Sequence, residues 1–484
     1  MITSGLKPER VFYYFEKLSS IPRGSGNEKA VSDYCKSVAE ELNLFCEQDE
    51  ANNILIRKPA SEGCEGAEGI IIQGHLDMVC EKNKDVQHDF KTDPLKLIID
   101  GDYLTADGTT LGGDDGIAVA MGLALIEDNE IKHPEIELLF TTDEEVGMNG
   151  AKKFDASKLK GTRLINLDSE EEGIFIVSCC GGAKATINLP IVKEDTPKEF
   201  VPVEIKISGL VGGHSGSDIN LQRANANKLM GRVLRQIAKT FYYRIECING
   251  GLMDNAITRE CTAVIYLPVE DMEELEDLCL QFEEIFNKEF VVSEKAIRVS
   301  AVRKADSSEK VMTVETANKL IYALNLIPYG VIDMSLEIEG LVETSNNLGI
   351  VKTKEDVVEM ASAVRSSVAT KKYNVLEQLQ MVSELIGGSL TLRGEYPGWE
   401  YKKDSKLREI CVETYKEMFG HEPKIEAIHA GLECGLLGAK NPKLDMISIG
   451  PEMHDVHTTN EKISISSVER MWKYLKFTVE RLAK

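Results

Sequence analysis

Three short apolar runs, each halted by a histidine or an acid, constrain the fold of this chain more than any other feature. Ile70-Ile71-Ile72-Gln73-Gly74 stops at His75-Leu76-Asp77, Leu138-Leu139-Phe140-Thr141 leads into Asp143-Glu144-Glu145, and Leu164-Ile165-Asn166-Leu167 ends on Asp168. Runs this short, bounded by polar turns, read as buried strands rather than helices. Between the first two lies Gly116 to Glu127, an Ala- and Leu-rich stretch after a Gly-Gly turn that reads as a helix. Strand, helix and strand in alternation predict an α/β fold, a sheet covered by helices. Open sheets of this kind hold their ligands outside the carboxyl ends of the strands, where these histidines and acids fall.

The alternation fills residues 1–184 and then changes to strands with intermittent long amphipathic helices until roughly residue 390. A weak echo runs through that stretch, Ala226-Asn227-Lys228-Leu229-Met230 against Ala317-Asn318-Lys319-Leu320-Ile321, and suggests two similar α+β lobes. From 391 to 484 the α/β pattern resumes, with a helix from Ser405 to Phe419 and a strand from Leu444 to Ile449. A length of 484 residues, about three times a single domain of ~150, agrees with this division. The expected organisation is a mixed sheet covered by helices, formed by 1–184 and 391–484 and interrupted by an inserted α+β lid at 185–390.

Charge and composition remove several function classes. The chain carries 56 Lys+Arg against 80 Asp+Glu, a net charge of −24, so phosphate backbones are poor partners and nucleic-acid binding is disfavoured. No run of ~18 uncharged apolar residues occurs, and Met1 to Ser20 has charges at Lys7, Glu9, Arg10, Glu16 and Lys17 in place of a signal-peptide core. A cytoplasmic location without a membrane partner is therefore expected. The 11 Cys contain no C-x-x-C pair, which argues against a thiolate zinc module, and Lys29 stands where a third glycine of a dinucleotide loop would be.

Each chemical motif has an ordinary reading when taken alone. His75-Leu76-Asp77 places two side chains on one face of a strand end, which suits an imidazole ligand backed by a carboxylate but also a hydrogen-bonded surface histidine. Gly112-Gly113-Asp114-Asp115-Gly116 sets two acids where a helix dipole favours them, and one carboxylate there can bridge two cations. Asp143-Glu144-Glu145 also reads as a charged loop, and Asp168 as a cap. Gly450-Pro451-Glu452-Met453-His454-Asp455-Val456-His457 brings two histidines into a loop after the last strand. Taken together, histidines and acids at five ends of one sheet make a nitrogen- and oxygen-donor set suited to two divalent ions, Zn2+ foremost, with Mn2+ and Co2+ equally acceptable to those ligands.

The order H-x-D, G-G-D-D-G, D-E-E-x-G, L-D and a late His resembles the cocatalytic dizinc exopeptidases of the aminoacylase, carboxypeptidase G2, peptidase T and carnosinase clan, and within it the dipeptidases. The similarity spans essentially the whole chain, including "IPRGSGNE" at Ile21 to Glu28, "GGHSG" at Gly212 to Gly216, "VRSS" at Val364 to Ser367 and "HAGLECG" at His429 to Gly435. It implies metal-dependent hydrolysis of dipeptides, Xaa-His and broader and including β-alanyl-histidine, by a metal-bound hydroxide. It further implies that His75 and Asp168 hold one ion, Glu145 and His457 the other, and Asp114 bridges them. Asp77 would back His75, Glu144 would be the general base, and a cis peptide is expected at Asp114-Asp115. His457 is preferred to His454 because Thr458-Thr459-Asn460-Glu461 follows it, as small hydroxylic and acidic residues follow the ligand in that clan. His214 resembles the lid histidine that donates to the tetrahedral oxyanion. Asn255 and Arg365 match positions that hold the substrate carboxylate, and Glu433 one that meets its amine. A related aminoacylase or tripeptidase, or a catalytically silent binding homologue, stays open as an alternative. A small peptide is the expected partner. The lid acts within its own chain or forms a homodimer interface, the dimer being preferred.

Overall fold

The computed structural model describes residues Met1–Lys484, which divide into two compact units. The first comprises Met1–Ser178, Tyr401–Ala427 and Leu432–Lys484, and the second Cys179–Glu400 with Ile428–Gly431.

In the first unit an eight-stranded sheet runs in the order Phe45–Gln48, Ile54–Lys58, Ile136–Thr141, Ile70–His75, Arg163–Asn166, Asp445–Ser448, Ile174–Cys179, Lys424–Ile428. Its central strands are parallel neighbours. Ile70–His75 and Ile136–Thr141 are buried at every position, which is why they read as continuous apolar runs without alternation. The helix Gly113–Glu127 is likewise buried almost all round, with non-helical backbone at Asp114 and Asp115. Four α-helix starts are fixed by side chains: Ser405 accepts from the Arg408 N–H, Ser464 from the Ser467 N–H and, in the second unit, Asn225 from the Asn227 and Lys228 N–H groups and Thr313 from the Thr316 N–H.

The second unit is built on an 11-stranded sheet. The chain enters it at Cys179 because Gly181–Pro190 pairs along its whole length with Val357–Ser366, and leaves it at Glu400 because Ser389–Tyr396 pairs with Gly181–Pro190 on the other side. The stretches that share the Ala-Asn-Lys-Leu echo do not close into separate lobes. Their strands join one sheet, and their helices Ala226–Thr240 and Val314–Leu326 lie in one apolar core. Gly231 permits that contact, since a Cβ there would stand 2.8 Å from Cβ of Leu324, while the Asn325 side chain donates to the Gly231 carbonyl at 2.9 Å. A two-stranded ribbon, Gly213–His214 with Ala256–Ile257, is separate from the large sheet. No helix is long and apolar enough to cross a membrane.

Candidate metal centre

The register of the first unit's sheet sets out the site. His75 lies opposite Thr141 at the ends of two parallel strands, so the turn Asp143–Glu145 starts at the same edge. Arg163–Asn166 pairs in parallel on the other side of Ile70–His75, and Asp168 follows it two residues beyond the strand. Asp445–Ser448 continues the parallel order and feeds the loop that carries His457. Asp114 arrives at the start of the buried helix, and its peptide bond to Asp115 is cis. The expectation that Asp77 shares a strand face with His75 is corrected: the strand ends at His75 and the chain turns, bringing the Asp77 carbonyl to 3.2 Å and its carboxylate to 3.4 Å from His75 Nδ1.

The two oxygens of Asp114 serve different neighbours. Oδ1 is 2.9 Å from His75 Nε2, which also stands 3.6 Å from Asp168 Oδ1. Oδ2 is 3.0 Å from His457 Nε2, which is in turn 3.0 Å from Glu145 Oε1. Two triads result, His75/Asp114/Asp168 and Asp114/Glu145/His457, each with its ligand atoms within 4.8 Å of one another and with Asp114 common to both. His454 stands apart, 3.6 Å from Glu452 and against the Tyr103 ring. His457 (φ 64) and Asp143 (φ 54) hold left-handed backbone conformations that non-glycine residues seldom adopt, a kind of local strain that concentrates at functional sites.

The electrostatics fit a cation. Burial pulls the His75 pKa down, but Asp114, Asp168 and Asp77 overcome it and raise the imidazole well above its ordinary value. Hydrogen bonds to Asp114 and then Glu145 push His457 up to about 11. Burial drives Asp168 up to about 6, and Glu144 rises through burial and the charges of Asp168, Glu433 and Glu145. Acids crowded until they hold protons on two imidazoles, with Asp168 of the triads forced upward, make a donor set that divalent ions would neutralise directly.

Around the triads, Asp77 accepts from the N–H groups of Glu144 at 3.0 Å and Glu145 at 3.2 Å and from the Ser25 hydroxyl at 2.8 Å. Glu433 begins the helix Glu433–Lys440. It is fully buried, accepts from Gln73 and Thr141 at 2.6 Å each, and is raised to about 7 by burial.

The remaining candidates belong to the second unit. His214 Nδ1 accepts from the N–H groups of Gly216 and Ser217, both at 3.3 Å, which leaves Nε2 as the protonated nitrogen of the neutral ring. Burial and then the Arg365 charge lower its pKa and keep it neutral. Asn255 sits beside it, its carbonyl accepting from the Ser215 N–H at 2.8 Å. Arg365 makes long contacts, 3.5 Å each to Tyr396 Oη and the His429 carbonyl, and its buried Nε has no partner. That leaves a guanidinium with donors to spend on an anion.

Several residues of the first unit were not singled out as site residues by the sequence. Glu170 is raised to about 7 by burial and then the Asp114 charge. Arg23, Glu28 and Glu461 are buried beside the ligand turns. Their only sequence signal is membership of "IPRGSGNE" and of the acid-ended segment after His457.

The profile of Peptidase family M20/M25/M40 matches residues 71–481. The chain is 38% identical over 472 residues to the cytosol non-specific dipeptidase of Escherichia coli (strain K12), covering 98% of this chain and 97% of that protein. The crystal structure of aminoacylhistidine dipeptidase from Vibrio alginolyticus matches with a TM-score of 0.95 at 39% identity, covering 99% and 98% of the two chains. Aminopeptidase PepT from Bacillus cereus, at 16% identity and a TM-score of 0.58 over 99% of this chain and all of its own, shares the fold.

Proposed function

This chain belongs to peptidase family M20/M25/M40 and hydrolyses dipeptides in a metal-dependent reaction, and from that membership we propose the roles of its residues. The observation that carries the proposal is the division of Asp114, one oxygen toward His75 and Asp168 and the other toward His457 and Glu145. One divalent ion belongs with the first triad and a second with the other, Zn2+ being the foremost candidate and Mn2+ and Co2+ compatible with the same donors. When bound, such ions polarise a scissile carbonyl and lower the pKa of water.

The chain's own residues do the rest. Glu144 belongs to neither triad but lies among His75, Asp168, Glu145 and Glu433, where its carboxylate accepts the proton of the attacking water and returns it to the leaving amine. Asp77 fixes the turn that carries Glu144 by accepting its backbone N–H. His214 supplies a neutral Nε2–H donor for the developing oxyanion, a contribution of about 3 kcal/mol when preorganised. Arg365 and Asn255 hold the peptide carboxylate, which limits the substrate's length, and Glu433 meets its free amine. Xaa-His dipeptides and β-alanyl-histidine fall within the range, the enzyme works in the cytosol, and it assembles as a homodimer, which light scattering would verify.

The test is a substrate panel with the Zn2+-, Mn2+- or Co2+-loaded protein: β-alanyl-histidine, other dipeptides, matching tripeptides and an N-acetyl amino acid. Hydrolysis confined to the dipeptides is expected. Cleavage of the acetylated compound or of tripeptides would move the chain to an aminoacylase or tripeptidase role, and no cleavage with any metal would make it a silent homologue.

A further inference from the structure

Two turns carry Asp114, Glu144 and Glu145, and the backbone of each is bound to buried charged side chains that belong to neither triad. Glu461, 2% exposed, accepts four consecutive N–H groups: Leu111 at 2.7 Å and Gly112 at 3.0 Å on Oε2, Gly113 at 2.7 Å and Asp114 at 3.4 Å on Oε1. Glu28, 5% exposed, accepts from Asp143 at 3.0 Å, and Asp77 takes the next two N–H groups, those of Glu144 and Glu145. Arg23 joins the Gly112 turn to the Leu76-Asp77 segment, whose Asp77 carboxylate in turn holds the second turn. Its Nη1 donates to the carbonyls of Leu76 and Asp77, both at 3.0 Å, and its Nη2 to that of Gly112.

The glycines of Gly112-Gly113-Asp114-Asp115-Gly116 take their reason from these side chains. A Cβ on Gly112 or Gly116 would stand 2.5 or 2.4 Å from Arg23 Nη2, and one on Gly113 would stand 3.2 Å from Glu461 Oε1. A guanidinium and two carboxylates in a dry interior are an expensive way to stabilise a fold, since apolar side chains of similar volume do as well or better. Their hydrogen bonds go to the backbone on either side of the ligand and base residues, where an error of about 1 Å is costly to catalysis.

We propose that Arg23, Glu28 and Glu461 are positioning residues that set the two ligand-bearing turns against one another. Arg23 and Glu461 fix the carboxylate of Asp114, and Glu28 with Asp77 fixes Glu144 and Glu145. The inference rests on the assignment of the two triads as metal ligands.

It is tested on the full chain with Glu461→Gln, Glu28→Gln and Arg23→Lys. A Gln has one acceptor oxygen for the four N–H groups that Glu461 receives, and a Lys cannot fork between the carbonyls that Arg23 joins. Mn2+ and Zn2+ affinity is measured by calorimetric titration of each apo protein, alongside its thermal midpoint and the kcat and KM for a dipeptide. Glu461→Gln and Arg23→Lys should each weaken metal binding about 10–100-fold, the range found for residues that orient metal ligands, with kcat lowered and KM little changed. Glu28→Gln should lower kcat with a smaller loss of affinity, because it acts on the turn of the base. A lowered thermal midpoint with unchanged metal affinity and kcat in all three would overturn the proposal. Failure of Glu461→Gln to fold leaves the other two to decide it. An unsubstituted chain that takes up no metal would instead refute the ligand assignment.

Discussion

Glu144 and Glu145 are adjacent in sequence and held by the same carboxylate, yet only Glu145 reaches a histidine ligand. Glu144→Gln should therefore lower kcat by about 100- to 10,000-fold, the usual contribution of a general base, while the protein binds its full metal complement. Metal analysis of the variant checks this, and loss of an ion would exchange the two roles. A second prediction concerns His429, whose Nε2 lies 2.7 Å from Ser345 Oγ. Burial and then the Arg365 charge lower it from an ordinary 6.5 to about 3. The unfolded chain thus takes up a proton below pH 6.5 that the folded chain refuses until near pH 3, so stability falls as pH drops through that window, by up to about 1.4 kcal/mol per unit. Urea unfolding at pH 7 and pH 5.5 should show a smaller pH-dependent shift in His429→Gln than in the parent. His75, Glu145 and Asp168 were legible as candidates in the sequence because each follows closely on an apolar run. Glu461 was not, because the N–H groups it receives lie about 350 residues earlier and no local pattern announces a backbone partner.

At the scale of elements, His214 and Asn255 ride on one ribbon. Gly213–His214 pairs with Ala256–Ile257, and buried Asn347 donates to the carbonyls on either side of Asn255, those of Asp254 at 2.8 Å and Ala256 at 2.9 Å. Glu294 closes the base of the loop bearing His214 by accepting from Val211 at 2.7 Å and Ala224 at 3.0 Å. Asn347→Leu should lower kcat/KM about tenfold. Combined with His214→Ala, it should cost less than the product of the two separate effects, because one residue acts through the other; a kinetic double-mutant cycle measures the coupling. The parallel core strands were legible to within a residue or two, since full burial makes them continuously apolar. The strand Val342–Thr353 was not, because its buried segment Glu343-Thr344-Ser345-Asn346-Asn347 is polar and its hydrogen-bond partners come from distant loops.

On the scale of the whole molecule, the candidate metal ligands belong to one unit alone. Chelation should therefore lower the stability of the first unit, by about 4 kcal/mol if the ion had been present at 1,000 times its Kd, and leave the second unit's transition in place. Hydrogen exchange resolved by peptide, with and without chelator, distinguishes the two. The second unit includes a return of the chain that the sequence did not suggest. Ile428–Gly431 supplies the carbonyls of Ile428 and Ala430 to the Cys180 N–H at 3.2 and 3.1 Å, and the His429 ring to Ser345. No composition shift marks those four residues, because what assigns them to the second unit is their pairing and not their character. Residues 179–400 expressed alone should lose about 1 kcal/mol for each of these hydrogen bonds, and a fusion carrying 428–431 should recover it in a thermal melt. For anyone exchanging segments between relatives, a chimera made by a single splice at 179 and 400 would join the donor's second unit to the recipient's His429. Such hybrids need a second, four-residue graft to carry a matched set.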